Sequence, residues 1–165
     1  MMKSRKAIIF GIKGLKLLKS EKLLFQRVKP WGVILFSRNI KDLDQLKLLV
    51  KNIKNIFKDN KYPILIDQEG GTVSRLNKIF DFSYFSQDYF GKLYKKDKVS
   101  FIQHYKVYVN TVSDLLNYVG ININTVPVMD VKRKNTHNII GKRSFSNNFN
   151  NIRELGKICI KLFKK

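Results

Sequence analysis

A chain of 165 residues can bury one proper hydrophobic core but not two comfortable ones, and no Pro/Gly/Ser-rich linker divides it, so residues 1–165 are expected to form one domain. Its single cysteine excludes an intrachain disulfide, and the lack of any window of about 18 apolar residues excludes a helical membrane span. The formal net charge of +21, from 33 basic and 12 acidic residues, would attract an anionic surface; yet the lysines are spread along the whole chain and the aromatics lie inside apolar runs rather than interleaved with basic residues, so nucleic-acid binding is not expected.

Lys3, Arg5 and Lys6 ahead of Ala7-Ile8-Ile9-Phe10 superficially resemble a signal peptide. Lys13 and Lys16 interrupt the apolar stretch and no small-residue cleavage site follows, so a cytoplasmic location is expected. Residues 6–10, closed by Gly11, suit a buried strand. Ser20 can cap a helix running through Glu21, Leu23, Leu24 and Val28, stopped before Pro30. Residues 32–36 are the clearest strand. From Asp42 to Phe57 the apolar residues Leu43, Leu46, Leu49, Val50, Ile53 and Phe57 follow helical spacing. Residues 62–66 read as a third strand, and residues 78–98 as a long aromatic and lysine-rich loop holding a short helix. A helix over 99–118 ends at Gly120, residues 121–126 give a fourth strand, and residues 150–163 form a last amphipathic helix, with Cys159 on it as a small buried hydrophobe.

Strand and helix thus alternate four times, which implies parallel pairing through crossovers in an α/β fold. Nearly all-apolar strands agree with a sheet covered on both faces. Two architectures fit: a small doubly wound sheet, or a partial TIM-type (β/α)8 barrel made of about the first four strand–helix units, since a full barrel takes roughly 250 residues.

In either architecture ligands gather at the carboxyl ends of the strands. Three polar clusters fall there: Ser37-Arg38-Asn39, Asp67-Gln68-Glu69-Gly70-Gly71, and Asp130. Asp67 and Asp130 could serve chemistry, or could cap the following segments or pair with Arg38 and Arg75. Asp67 and Glu69 would stand roughly 6.6 Å apart on an extended strand, within reach of a glycosidase carboxylate pair, but Gly70-Gly71 signals a turn that breaks this spacing. His104 and His137 lack a second His or Cys at ligand spacing, so no metal is expected. No phosphate-binding glycine loop and no Gly-x-Ser-x-Gly elbow occurs, and no cofactor is expected.

Four segments carry a resemblance to a known family. They are Ile9-Phe10-Gly11-Ile12-Lys13-Gly14-Leu15, then Pro30-Trp31-Gly32-Val33-Ile34-Leu35-Phe36-Ser37-Arg38-Asn39, then Ile66-Asp67-Gln68-Glu69-Gly70-Gly71-x-Val73-x-Arg75-Leu76, and lastly Val126-Pro127-Val128-Met129-Asp130-Val131 with Ile140-Gly141-x-Arg143-Ser144-Phe145. In order and spacing the chain resembles the N-terminal half of the barrel domain of bacterial β-N-acetylhexosaminidases in glycoside hydrolase family 3. The resemblance implies retaining cleavage of a terminal, non-reducing β-linked N-acetylglucosamine, in carbohydrate metabolism and peptidoglycan turnover, on an N-acetylglucosamine-containing muropeptide or oligosaccharide.

By motif position, Asp67, Arg75 and Arg143 match residues that hold the sugar. Two departures stand out: Thr72 replaces a usual Arg, and Lys142 replaces an acidic residue that could anchor Arg143. The family's Lys-His-Phe-Pro-Gly-His motif is expected about thirty residues after Arg143, past Lys165, by the logic of one unit per strand. The resemblance therefore implies a truncated domain with no catalytic residue of its own, inactive by itself because retaining hydrolysis needs a nucleophile and an acid/base. The alternatives are a non-catalytic half-barrel that binds or assembles, self-associating through open barrel edges, and a basic nucleic-acid binder.

Overall fold

The computed structural model describes residues 4–133 and 139–164. The chain forms two compact units, one made of Met1–Asp67 with Leu116–Asn124, the other of Gln68–Leu115 with Thr125–Lys165.

The first unit holds the sheet. Strands β1 (Lys6–Gly11), β2 (Pro30–Leu35), β3 (Ile64–Ile66) and β4 (Ile123–Asn124) pair in parallel in the order β1-β2-β3-β4. A doubly wound sheet reverses its strand order at a switch point; this sheet runs straight through, as a barrel wall does. Helices α1 (Lys19–Val28) and α2 (Leu43–Phe57) make the crossovers between the first three strands. Helix α2 starts where its periodicity predicts, because the Asp42 carboxylate accepts the Gln45 amide at 2.8 Å and caps the first turn. Its Leu46, Leu49, Val50 and Ile53 are buried, as are Val33, Leu35, Ile64 and Ile66 of the sheet. Each such side chain contributes about 1.5–3 kcal/mol by leaving water. An aromatic ladder, Phe10–Phe25–Phe57–Tyr62, closes one end of this core, with Phe57 and Tyr62 stacked at 3.9 Å.

Three expectations are corrected. Ser20 does not cap α1: the helix begins at Lys19 with Leu18 at the cap position, and the Glu21 carboxylate takes the Leu18 and Lys13 amides at 2.8 Å each. β1 is not covered on both faces, since Ile8 and Ile9 are 42% and 43% exposed. The fourth strand is only the two residues Ile123–Asn124; ahead of it the Asn122 side chain accepts the Ile64 amide at 2.8 Å and donates to the Tyr62 carbonyl at 3.1 Å, beside the bond of its own amide to the Ile64 carbonyl at 3.2 Å.

The second unit is helical. It contains α3 (Gln87–Lys96), most of α4 (Lys98–Val119) and α5 (Phe149–Phe163). The segment expected to be mainly loop contributes ten helical residues, started by Ser86, whose hydroxyl accepts the Tyr89 amide. Its core is an aromatic cluster around Phe90, with ring centroids 4.7 Å from Tyr105 and 5.1 Å from Tyr108. Ile152, Leu155 and Cys159 of α5 are buried in the same unit.

Candidate functional site

Asp67 follows β3 directly and is half-buried, the last residue of its stretch of the first unit. The next residues, in the second unit, form a tight turn. Gly70 and Gly71 have φ of 83° and 63°, and the turn closes with the Glu69 amide on the Val73 carbonyl at 3.0 Å. A Cβ on Gly70 would stand 2.3 Å from the Phe85 carbonyl oxygen, so both conformation and space demand glycine. The turn expected from Gly70-Gly71 is therefore present.

Gln68 is fully buried and works as a clamp. Its carbonyl oxygen accepts the Arg75 amide at 2.8 Å and the Leu76 amide at 3.1 Å, and its amide nitrogen donates to the Ser74 hydroxyl at 2.9 Å. The backbone of Arg75 is thus fixed by a side chain seven positions earlier. Tyr108 of α4 donates to the Glu69 carbonyl at 3.0 Å and pins the other side of the turn.

The Glu69 side chain makes the decisive contact of this unit. Its two oxygens accept Nε and Nη2 of Arg143, each at 2.9 Å, in a two-pronged pair between a carboxylate only 6% exposed and an arginine 25% exposed. Charge-assisted paired bonds of this kind fix a guanidinium in plane as well as in position. The anchor that Lys142 cannot supply comes from Glu69 instead. With both oxygens occupied by Arg143, Glu69 is not placed as half of a catalytic carboxylate pair.

The segment carrying Arg143 is itself held. Residues Gly141–Arg143 form a 3-10 turn, the buried Ser144 hydroxyl donates to the Asp130 carbonyl, and Phe145 meets Tyr105 edge-on at 6.1 Å. Gly91 lets α3 approach closely: a Cβ there would lie 1.7 Å from the Phe145 carbonyl oxygen. Asp130, a candidate from its place after the fourth strand, takes part here through its backbone.

The cluster Ser37-Arg38-Asn39 is structural. Arg38 Nε donates to the Ile12 carbonyl at 3.0 Å, and Asn39 Nδ2 donates to the carbonyls of Ile12 and Gly14, tying down the loop after β1. Burial holds the hydroxyls of Tyr105 and Tyr108 protonated well above the usual range, and pushes the Cys159 thiol up to about 11, so none of the three ionises at neutral pH. His104 is exposed, with Nδ1 2.7 Å from the Ser100 carbonyl, and His137 lies outside the described residues. Among the described residues no group of three or more His, Cys, Asp and Glu side chains could hold a metal, and no helix is long and apolar enough to cross a membrane.

Of the three expected sugar ligands, Arg75 and Arg143 fall in the second unit, and Asp67 in the first. Sequence reasoning missed the roles of Gln68 and Glu69. The available signal was that polar residues directly after a buried strand must find partners.

Parallel strands in chain order, with polar residues beyond their carboxyl ends, define a (β/α)-barrel type of domain. The chain belongs to glycosyl hydrolase family 3: the family model described as "Glycosyl hydrolase family 3 N terminal domain" matches residues 16–165. It is 32% identical over 145 residues to beta-hexosaminidase A of Pseudoalteromonas piscicida, covering 86% of this chain and 24% of that protein. It is 30% identical over 145 residues to a beta-hexosaminidase of Neisseria meningitidis serogroup C, covering 87% of this chain and 39% of the relative. The crystal structure of NagZ from Neisseria gonorrhoeae, in complex with N-trifluoroacetyl-D-glucosamine, superposes with a TM-score of 0.84 at 25% identity, over 98% of this chain and 48% of that one. The chain therefore spans about half the length of that structure and less than half of those relatives.

Proposed function

We propose that this chain contributes the sugar-holding part of a β-N-acetylhexosaminidase, with Asp67, Arg75 and Arg143 as ligands of a terminal β-linked N-acetylglucosamine. The observation that carries this reading is Arg143 locked by two 2.9 Å bonds to the buried Glu69. A guanidinium held in one orientation loses little freedom when it donates to sugar hydroxyls, and an ionised carboxylate such as Asp67 can accept from two hydroxyls at once. The likeness to beta-hexosaminidases, and to NagZ with a glucosamine derivative, supports the same substrate class. We assign the parent activity to retaining hydrolysis in cytoplasmic peptidoglycan turnover, on an N-acetylglucosamine-containing muropeptide or oligosaccharide.

Such residues supply binding and orientation, while bond cleavage needs a nucleophile and an acid/base. The 165-residue chain is thus expected to bind N-acetylglucosamine, measured by calorimetry, and to release no phenol from an aryl β-N-acetylglucosaminide. Arg143→Ala should weaken sugar binding about tenfold or more, the worth of one or two charged hydrogen bonds. Unchanged affinity in a folded Arg143→Ala variant would overturn the assignment, and turnover by the wild-type chain would overturn the division of labour.

A second reading concerns assembly. Among the described residues β1 pairs with one strand, β2, and Ile8, Ile9 and Trp31 are 42–43% exposed on these two strands. A strand edge flanked by exposed apolar residues favours strand addition. We propose that two copies associate through the β1 edge, so sedimentation should show a dimer at micromolar concentration. A monomer persisting to the millimolar range would contradict this reading.

A further inference from the structure

Helix α3 begins with a glutamine whose side chain is turned into the core of the second unit. Gln87 is only 5% exposed, and its amide is buried at both ends. Neither Oε1 nor Nε2 has a hydrogen-bond partner among the described residues. Turning the amide over exchanges the two ends and satisfies neither. The polar side chains nearby are otherwise engaged: Gln68 serves Ser74, Arg75 and Leu76, Glu69 holds Arg143, and Ser86 caps the helix. An amide taken out of water without partners is strongly unfavourable, so the native fold is expected to supply one.

Gln87 lines a cavity of about 10 Å³ that lies wholly within the second unit. Tyr105, Tyr108 and Cys159 share its wall, together with Gln68 and Glu69. The Tyr108 hydroxyl interacts with both Cys159 and Gln68, and the Tyr105 hydroxyl with Cys159, which gathers these polar tips around the same space. A cavity needs roughly 10–15 Å³, one water-sized sphere, to admit a water molecule, so nothing larger fits.

The chemistry of the amide selects the same occupant. A small cation would meet the Nε2 hydrogens and an anion the Oε1 lone pairs, whereas a water molecule both accepts and donates. One water can accept from Nε2 and donate to Oε1 of the same amide in a closed ring, which serves both ends at once. Its second proton then needs an acceptor. The Tyr108 hydroxyl gives its own proton to the Glu69 carbonyl at 3.0 Å, and its oxygen can still accept. We propose that this cavity binds one ordered water, held by the Gln87 amide and linked through the Tyr108 hydroxyl to the Glu69 carbonyl. The water ties the start of α3 to the turn that presents Glu69. This holds whether or not Arg143 binds sugar.

The test is a pair of water-selected spectra, NOESY and ROESY, on the ¹⁵N-labelled 165-residue chain, with the Gln87 side-chain amide assigned by its loss in Gln87→Met. Cross-peaks from water to the Gln87 Nε2 protons should have opposite signs in the two spectra, as for a water that tumbles with the protein and not for protons that exchange chemically. The exposed Gln103 should show no such pair. Gln87→Met keeps the length of the side chain and removes the amide. Where a water satisfies that amide, the substitution removes bonds already made and should leave the thermal midpoint unchanged or lower it by about 2–4 °C. Removing an amide that has no partner at all would instead raise the midpoint by about as much. The proposal is overturned if the assigned Gln87 amide gives no water cross-peaks of opposite sign, or if Gln87→Met raises the midpoint.

Discussion

Glu69→Ala is expected to lower the unfolding free energy by about 1–3 kcal/mol and, at the same time, to remove most of the affinity for N-acetylglucosamine. Breaking a fully buried pair costs more, about 3–5 kcal/mol, but Arg143 is a quarter exposed and water can partly solvate its freed guanidinium. The sugar effect has a different origin. Without the two bonds at 2.9 Å, Arg143 recovers its side-chain freedom, and binding must then order it again. Glu69→Gln can accept only one of the two N–H groups and should fall between wild type and alanine on both scales. Urea unfolding with sugar calorimetry on the same samples checks this. A Glu69→Ala protein of unaltered affinity would show that Arg143 does not need its anchor.

Gly91→Ala should be destabilising although alanine is the better helix former. The gain in helix propensity is about 1 kcal/mol. Against it, the new methyl would lie 1.7 Å from the Phe145 carbonyl oxygen, a backbone atom that cannot swing aside as a side-chain tip can. Relief requires moving the 144–146 segment, which the Ser144 hydroxyl bond to the Asp130 carbonyl and the buried Phe145 ring oppose. Overpacking costs about 1–3 kcal/mol, and a clash this close with a backbone atom belongs at the upper end, so after the gain in propensity a net loss of about 2 kcal/mol is expected. Because Arg143 heads the displaced segment, sugar affinity should fall too. A variant at least as stable as wild type in thermal unfolding would contradict the close approach.

The elements most legible in the sequence were those whose local signals agree. α2 combines a capping Asp42 with an uninterrupted apolar period, and its observed bounds Leu43–Phe57 follow both. Helix α3 was harder to read because Tyr89, Phe90 and Gly91 are poor helix formers; the packing of Phe90 among Tyr105 and Tyr108 stabilises it, and that is a tertiary effect. The short β4 also escaped a reading by apolar content, since nothing in Ile121-Asn122-Ile123 says that an asparagine side chain will take the Ile64 amide.

The candidate site divides the same way. Asp67, Arg75 and Arg143 could be named from motif resemblance, and the Gly70-Gly71 turn from residue type. The Glu69–Arg143 pair joins residues 74 positions apart, which no local pattern displays. The Lys142 departure pointed to a missing anchor, and only the fold shows that the anchor lies beside Asp67 in the sequence, two residues along.

The central claim, that a Glu69-held Arg143 is a sugar ligand, is most directly tested by observing its guanidinium. In the ¹⁵N-labelled 165-residue chain, the Arg143 Nε–H resonance can be assigned by its loss in Arg143→Lys and followed during titration with N-acetylglucosamine. Slow solvent exchange of that proton before titration, and a saturable shift during it that Glu69→Ala abolishes, is the predicted result. An Arg143 Nε–H signal that stays unmoved while the sugar binds elsewhere on the chain would contradict the claim.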